Sequence, residues 1–274
     1  MDNQKDAASK YLEEYYNSYD EEGRLSDRHG SVEFLTTTRY IDKYLRPGDR
    51  ILEVGAATGR YSLHYARKGY QVDSIELILH NIEQFKKNMT KDMNVTIHQG
   101  NACNLSGYED NIFDITLILG PLYHLYTVED KLKAIEEACR VTKPGGIIYL
   151  AFIMNDAVIL DWGLKSGNLA MGLNTGMVTK DFHCVGTPEM LFEMTTVEDI
   201  NNLVEKFPLE KLHMVASDGM TNHFRNEIEN ADKELFEAWL SYHFHTCERA
   251  DLIGFSNHGL FIGRKNSNSI IKKY

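Results

Sequence analysis

Short apolar runs and stretches of helical spacing alternate along most of this 274-residue chain. Helical spacing predicts helices at Ala7–Tyr19, Val32–Leu45, Tyr61–Arg67, Ile82–Asn88, Val128–Arg140, Val197–Lys206 and Asp232–Glu248. Apolar runs predict strands at Arg50–Val54, Val72–Ile75, Asn94–His98, Phe113–Leu119, Ile147–Ile153, Leu212–Ala216 and Gly259–Gly263. Strands that alternate with helices in this way imply a parallel sheet with helices on both faces, so the expected fold class is α/β.

The periodic pattern fails between Asn155 and Met194, where the chain is rich in Gly, Met and Asn. A loop of that length inside a compact domain is usually an active-site cover. The sequence therefore predicts a helical N-terminal flap at residues 1–45, packed on a core of residues 46–154 and 195–265. It also predicts a lid insertion at residues 155–194 and a polar tail at residues 266–274.

The turn after the first predicted strand reads G-A-A-T-G, and ligands of open parallel sheets bind at such strand ends. Ala57 and Arg60 stand where the dinucleotide fingerprint needs a glycine and a small residue, which argues against NAD. A ligand with adenosine but no pyrophosphate, such as S-adenosylmethionine, fits better. Glu76, 21 positions after Gly55, can accept hydrogen bonds from both ribose hydroxyls. The alternative is a glycine-rich turn followed by a solvated glutamate. The position of Glu76 at the end of the second predicted strand favours a cofactor-binding role instead.

These motifs resemble those of the class I S-adenosylmethionine-dependent methyltransferases. ILEVGAATG is similar to the family's first motif, with Ala57 at the middle glycine, where alanine is acceptable if φ is negative. VDSIEL is similar to the second motif, and GNACNL, FDITLILGPLYHL, CRVTKPGGIIYLAF and SNHGLFIGRK resemble the later strands and loops. The resemblance implies a Rossmann-like, doubly wound, seven-stranded sheet, mostly parallel with an antiparallel last strand. It also implies S-adenosylmethionine as cofactor, S-adenosylhomocysteine as product and no metal.

The resemblance implies a set of cofactor-binding residues: Glu53, Gly55, Ala56, Gly59, Glu76, Leu77, Asn101, Ala102, Leu119 and Gly120. Methyl transfer is an in-line displacement that requires alignment and exclusion of water. The loop LGPLYHLY supplies the catalytic candidates. His124 is a candidate general base, or else a histidine that packs under the lid and bonds a backbone carbonyl. Tyr123 is expected as a pocket wall or cation–π partner of the sulfonium.

Arg24 and Arg28 in the N-terminal flap are candidates to clamp the cofactor carboxylate or an acidic substrate. The alternative for each is a solvated arginine paired with nearby acids.

Charge and composition limit the classes of partner that we expect. The formal net charge is −11, and Lys and Arg form no run beyond FKKN and IIKKY, so a nucleic-acid partner is not expected. Gly120 lacks the side chain that amino-group methyltransferases of DNA bases use at the matching position.

The four cysteines form no CxxC pair, no signal peptide is visible, and the apolar runs are too short to span a bilayer. We expect a cytoplasmic protein without membrane association, as a monomer or small homo-oligomer.

The expected function is methyl transfer from S-adenosylmethionine to a small-molecule acceptor. Two alternatives share the cofactor motifs. One is a protein or peptide methyltransferase on the same fold, and the other is a regulatory protein that binds S-adenosylmethionine without turnover.

Overall fold

Eight strands form one sheet in the computed structural model, which describes residues 10–17 and 27–266. They are β1 (Arg50–Val54), β2 (Gln71–Glu76), β3 (Val95–Gln99), β4 (Phe113–Ile118), β5 (Thr142–Met154), β6 (Met194–Thr195), β7 (Leu209–Ala216) and β8 (His258–Lys265). The spatial order is β3-β2-β1-β4-β5-β8-β7, and β6 pairs with the end of β5. Only β8 is antiparallel among these pairings. The predicted fold class is confirmed, and β6 adds a two-residue strand to the seven expected.

The described helices surround this sheet. They are α1 (Arg28–Tyr44), α2 (Arg60–Arg67), α3 (Leu79–Asn88), α4 (Val128–Val141), α5 (Asn155–Val158), α6 (Leu169–Thr175), α7 (Val197–Val204), α8 (Arg225–Glu229) and α9 (Lys233–Thr246). Residues 10–16 are also helical. A π-helix continues α5 over Ile159–Lys165, and short 3-10 turns span Pro121–His124, Pro188–Met190 and Ile253–Phe255. Among the described residues, no helix is both long enough and apolar enough to cross a bilayer.

The chain order creates a crevice at one edge of the sheet. From β1 the chain moves outward to β2 and β3, and then returns to the other side of β1 for β4 and β5. Val54 at the end of β1 pairs with Ile75 on one side and Ile118 on the other. Because these strands are parallel, their carboxyl ends lie together where the order reverses, which is where ligands of such sheets bind.

The segment between β5 and β6 contains regular structure, so its interpretation as a loop without helices was wrong. Residues 155–175 form α5, the π-helix and α6. Their buried positions are Asn155, Ala157, Gly163 and Gly172. Small and polar residues carry no hydrophobic period, which is why the sequence pattern did not reveal these helices.

Helix α1 packs on the core through its buried face, which includes Val32 and Ile41. The Tyr149 hydroxyl of β5 donates to the carbonyl of Tyr40 at 2.9 Å. Arg24 lies outside the described residues, and so do residues 267–274 of the predicted tail. The division into flap, core and lid stays a prediction.

Candidate active site

The turn after β1 brings backbone close to the loop after β4. Gly55 has φ +74°, and its N–H donates to the carbonyl of Ile75 at 2.8 Å. A Cβ at Gly55 would lie 2.5 Å from the ring of Pro121. Because of both the positive φ and this close approach, only glycine fits here without strain.

Ala57 adopts a left-handed conformation with φ +47°, so the negative φ that would make alanine acceptable at this position is not present. In this conformation the Ala57 N–H donates to Oε2 of Glu76 at 2.8 Å. The bond to a buried carboxylate compensates for a backbone geometry that L-residues rarely adopt.

Gly59 has φ +90° and is the N-cap residue of α2. A Cβ there would lie 2.5 Å from the ring of Phe85 in α3. Gly59 is therefore the small residue that allows the start of α2 to pack closely against Phe85 of α3. Arg60, which stands where the dinucleotide fingerprint needs a small residue, lies with its guanidinium 4.7 Å from the ring centroid of Phe34.

Glu76 ends β2 with its carboxylate buried and held from several sides. Besides the bond from Ala57, its Oε1 accepts from the Ile78 N–H at 2.9 Å and lies 3.4 Å from Nδ2 of Asn81. Burial raises the pKa of Glu76, and the backbone N–H donors oppose that shift. Each carboxylate oxygen can accept more than one hydrogen bond, so this side chain retains capacity for a ligand.

Glu53 lies one strand away and is also buried. It accepts from the backbone N–H of Ser62 at 2.8 Å and from the Ser62 hydroxyl. Burial raises the pKa of Glu53 to about 8, because the charged form loses its hydration. Glu53 thus ties β1 to the first turn of α2.

A cavity of about 1020 Å³ lies over this turn, and we call it the first cavity. All the predicted cofactor-binding and catalytic residues line it except Gly59. Residues that the sequence reasoning missed also line it: Leu12, Tyr16, Glu33, Val54, Thr58, Arg60, Tyr61, Ile75, Ile78, Asn81, Gly100, Pro121 and Leu125. Ile78 and Asn81 closely follow Glu76 in sequence, which was the signal that could have found them. Leu12, Tyr16 and Glu33 come from the N-terminal part of the chain and carry no motif.

His124 has hydrogen-bond partners at both ring nitrogens. Nδ1 lies 2.7 Å from the carbonyl oxygen of Leu191, so it must carry the proton and donate. Nε2 lies 3.0 Å from the Tyr16 hydroxyl and therefore accepts. Burial lowers the pKa of His124 to about 4, which keeps the ring neutral at physiological pH.

Tyr123 separates the first cavity from a second one. Its hydroxyl donates to the carbonyl of Leu119 at 3.1 Å. The second cavity holds about 1570 Å³, and Tyr16, Glu33 and Tyr123 line both cavities. Its other lining residues are Tyr15, His29, Gly30, Ile153, Val158, Trp162, Met177, Cys184, Met190, Phe192, Met194, Asp218, Asn222, Arg225, Asn257 and His258. Arg28 lines neither cavity, and its guanidinium lies 5.6 Å from the ring centroid of Phe236.

Comparison with known proteins agrees with this geometry. Residues 52–150 match the family model of a methyltransferase domain. A demethylmenaquinone methyltransferase from Renibacterium salmoninarum is 35% identical over 106 residues, which cover 38% of this chain and 41% of that protein. An S-adenosyl-L-methionine-dependent Diels-Alderase from Talaromyces variabilis is 31% identical over 107 residues, 37% of this chain and 35% of that protein. The chain thus spans less than half the length of either relative.

A crystal structure of a methyltransferase from Methanosarcina mazei has the same fold. It superposes with a TM-score of 0.55 at 18% identity and covers 84% of this chain and 98% of that one. The matching residues include most of β1, all of β2 and β4, and the loop with His124, and they supply most of the lining of the first cavity. Residues 52–150 therefore resemble a methyltransferase domain, and the fold is that of Rossmann-like methyltransferases.

Proposed function

We propose that this protein transfers a methyl group from S-adenosylmethionine to a small molecule held in the second cavity. The observation that carries the proposal is the buried carboxylate of Glu76 in a first cavity that shares Tyr16, Glu33 and Tyr123 with a second, larger one. Cofactor and acceptor would then lie on either side of this shared wall.

The first cavity fits the cofactor in shape and chemistry. Gly55 leaves no room for a side chain, so the backbone itself forms the wall beside Pro121. Glu76 offers acceptor oxygens for the two ribose hydroxyls and would repel the 2′-phosphate of NADP. Asn101 and Ala102 also line the first cavity, and the resemblance implies that residues at these positions lie near the adenine ring.

Bound S-adenosylmethionine supplies an electrophilic methyl group at a cationic sulfur. The residues of this chain then have to align the acceptor with that methyl and keep water out. Aromatic side chains dominate the boundary, with Tyr16, Tyr123 and Phe192 lining the second cavity. Phe192 belongs to the segment before β6, and its ring centroid lies 6.1 Å from that of Tyr123.

His124 remains our proposed base, with Tyr16 as its partner. Because Nε2 accepts the Tyr16 hydroxyl, a proton from the acceptor would reach His124 through that hydroxyl. The lowered pKa makes the imidazole a weak base, so this route suits an acceptor whose own proton is acidic. A packing histidine, bonded to the Leu191 carbonyl, is the alternative.

Two alternatives to this function would use the same cofactor cavity. The relative from Talaromyces variabilis is named as a Diels-Alderase that depends on S-adenosyl-L-methionine, so domains of this kind are associated with reactions besides methyl transfer. A protein or peptide acceptor would need a wider opening than the second cavity, which is walled by the segment between β5 and β6.

Calorimetry tests the cofactor assignment. The wild-type chain should bind S-adenosylhomocysteine and should bind NAD far more weakly. Glu76→Gln keeps the size of the side chain but removes the charge, which should cost about 1.5–3 kcal/mol, or roughly 10- to 150-fold in affinity. Glu83→Gln, on the exposed face of α3, is the matched control and should bind normally. Equal wild-type affinity for NAD and S-adenosylhomocysteine would contradict the assignment.

A labelled-methyl assay tests the reaction itself. The protein is incubated with methyl-labelled S-adenosylmethionine and a metabolite extract, and label is measured in low-mass and protein fractions. We expect label in the low-mass fraction with the wild type and not with Glu76→Gln. Label only in the protein fraction would favour the protein-acceptor alternative. Cofactor binding without any label transfer would favour a function other than methylation.

A further inference from the structure

Arg225 places a positive charge on the wall of the second cavity. Among the described residues that line this cavity, it is the only lysine or arginine. The residue begins α8 and is exposed, so it lies where the cavity opens to solvent. An acceptor that enters the cavity can therefore contact this guanidinium.

No described carboxylate neutralises Arg225. Within residues 10–17 and 27–266, the guanidinium forms no ion pair and is bonded only to Asn222, whose Oδ1 accepts from Nη2 at 3.2 Å. A guanidinium carries several N–H donors in a planar fork, so most of them remain for a ligand.

Asn222 holds the guanidinium in place. Its Nδ2 donates to Oδ2 of Asp161 in the π-helix at 2.8 Å, while its Oδ1 accepts from Arg225. The other carboxylate oxygen of Asp161 lies 3.0 Å from Nδ1 of His223. Asp161 is thus engaged by two other side chains, and the amide between it and Arg225 orients the guanidinium without neutralising it.

The two acids that line the same cavity have a basic partner of their own. Nδ1 of His258 lies 3.4 Å from Oε2 of Glu33 and 3.5 Å from Oδ2 of Asp218. Asp218 also accepts from the Ser256 hydroxyl and from the backbone N–H of His258. These acids belong to a bonded cluster, whereas Arg225 has donors left for an anion.

Apolar side chains form another part of the wall. Trp162, Met177, Met190 and Phe192 all come from the segment between β5 and β6, and all line the second cavity. Aromatic faces suit a ring, and methionine adapts to irregular shapes. A molecule with an apolar body can bury that body here and leave a charged group at the opening.

We propose that Arg225 selects acceptors that join an apolar body to a carboxylate or another oxyanion. A guanidinium binds an oxyanion through two parallel N–H···O bonds, which fix its orientation. The body would then lie along the apolar wall, with Tyr123 between it and the cofactor cavity. The sequence analysis offered arginines of the N-terminal flap for such a clamp, whereas position 225 belongs to no motif. This inference rests on the proposed function, because it assigns the class of acceptor.

Two fluorescent probes with the same aromatic body test the selection. Anilinonaphthalene sulfonate carries an oxyanion, and phenylnaphthylamine lacks it. The full chain should bind the sulfonate more tightly than the neutral probe. Arg225→Gln should weaken sulfonate binding about five- to tenfold and leave the neutral probe unchanged, because only the charged contact is lost. Arg225→Lys keeps the charge and should restore part of the affinity.

Arg249→Gln is the matched control. Arg249 is also exposed, but it pairs with Asp251 and does not line the cavity. This variant should bind both probes as the wild type does. Phe192→Ala should weaken both probes, because it removes a ring from the apolar wall of the second cavity. Circular dichroism checks that all variants are folded.

The proposal is overturned if the wild type binds the neutral probe as tightly as the sulfonate, or if folded Arg225→Gln binds both probes normally. It is also overturned if Arg249→Gln loses as much affinity as Arg225→Gln, or if Phe192→Ala affects neither probe. Probe binding needs neither cofactor nor turnover, so its failure is distinct from a failure of the labelled-methyl assay.

The natural acceptor can be tested by its charge. The metabolite extract is separated on an anion-exchange resin before the labelled-methyl assay. Label should be transferred with the retained fraction, because the acceptor carries an oxyanion. Transfer with the unretained fraction alone would overturn the inference while leaving methyl transfer itself established.

Discussion

At the scale of single residues, Ala57 combines a left-handed backbone with a bond to the buried carboxylate of Glu76. That backbone region costs an L-residue about 1–2 kcal/mol relative to the right-handed one, while glycine enters it freely. The hydrogen bond uses only the backbone N–H, which a glycine would retain.

Ala57→Gly should therefore stabilise the protein, by about 0.5–1 kcal/mol after the greater chain entropy of glycine is counted. Urea denaturation measures the change. Ala56→Gly is the control, since Ala56 is buried and is not among the residues with positive φ. It should lose about 1 kcal/mol. A loss of stability in both variants would show that the methyl group of Ala57 matters more than its φ.

Glu53 links the protonation of one side chain to the stability of the fold. Its folded pKa is about 8, above the ordinary value of 4.5, because burial penalises the charge. Between these two values the folded chain holds a proton that the unfolded chain has released. Stability should consequently fall as the pH rises from about 4.5 to 8.

Glu53→Gln should remove this contribution, because an amide does not titrate. The free energy of unfolding, measured from pH 5 to 8, should decline less steeply with pH in the variant than in the wild type. Glu83→Gln is the control for an exposed glutamate. Identical slopes in the wild type and Glu53→Gln would mean that Glu53 is ionised in the folded protein.

At the scale of elements, the side chain of Asn155 joins the two ends of the segment from Asn155 to Met194. Nδ2 of Asn155 donates to the carbonyl of Phe182 at 3.0 Å, and its Oδ1 accepts from the N–H of Cys184 at 2.8 Å. Asn155 is buried, so one side chain joins the start of α5 to the returning chain near the second cavity.

Asn155→Ala should release this segment, because the Phe182 and Cys184 backbone groups lose a buried partner, at a cost of about 1–3 kcal/mol. Limited proteolysis should then cut faster between residues 159 and 190 than in the wild type. Asn174→Ala, on the exposed part of α6, should leave the cutting rate unchanged. Cofactor and acceptor together should slow the cutting in the wild type, as expected for a closing lid.

At the scale of the whole molecule, α1 connects the N-terminal part of the chain with α9 near its end. The Thr36 hydroxyl donates to the carbonyl of Val32 at 2.7 Å and lies 2.8 Å from Nε2 of His243. Because the hydroxyl proton is used within the helix, Nε2–H of His243 donates to Thr36. Both side chains are buried, so this contact has no access to water.

Thr36→Val removes the acceptor with little change of shape. It should cost about 1–3 kcal/mol, since it leaves a buried donor on His243 unpaired. Thr38→Val is the control, because the Thr38 hydroxyl donates to carbonyls of its own helix. It should cost much less. Equal losses in chemical denaturation would indicate that α1 and α9 contribute to stability independently of this bond.

Local patterns in the sequence determined the strands, the turn after β1 and the position of Glu76. The predicted bounds of β1 match the structure, and the other predicted strands differ from it by a few residues at their ends. This follows because buried parallel strands need continuous apolar runs, and because a βα turn with a carboxylate one strand later is a short-range feature. The family motifs likewise contain the predicted site residues, and all of these except Gly59 line the first cavity.

Tertiary structure decided the rest, since no sequence period records which distant residues meet. Tyr16 reaches His124 across 108 positions, which turns a candidate base into a histidine with two partners. The helices after β5 bury glycine and alanine, so packing against the core rather than a hydrophobic period specifies them. Glu33, Asp218 and His258 become neighbours only when α1 packs beside the paired ends of β7 and β8.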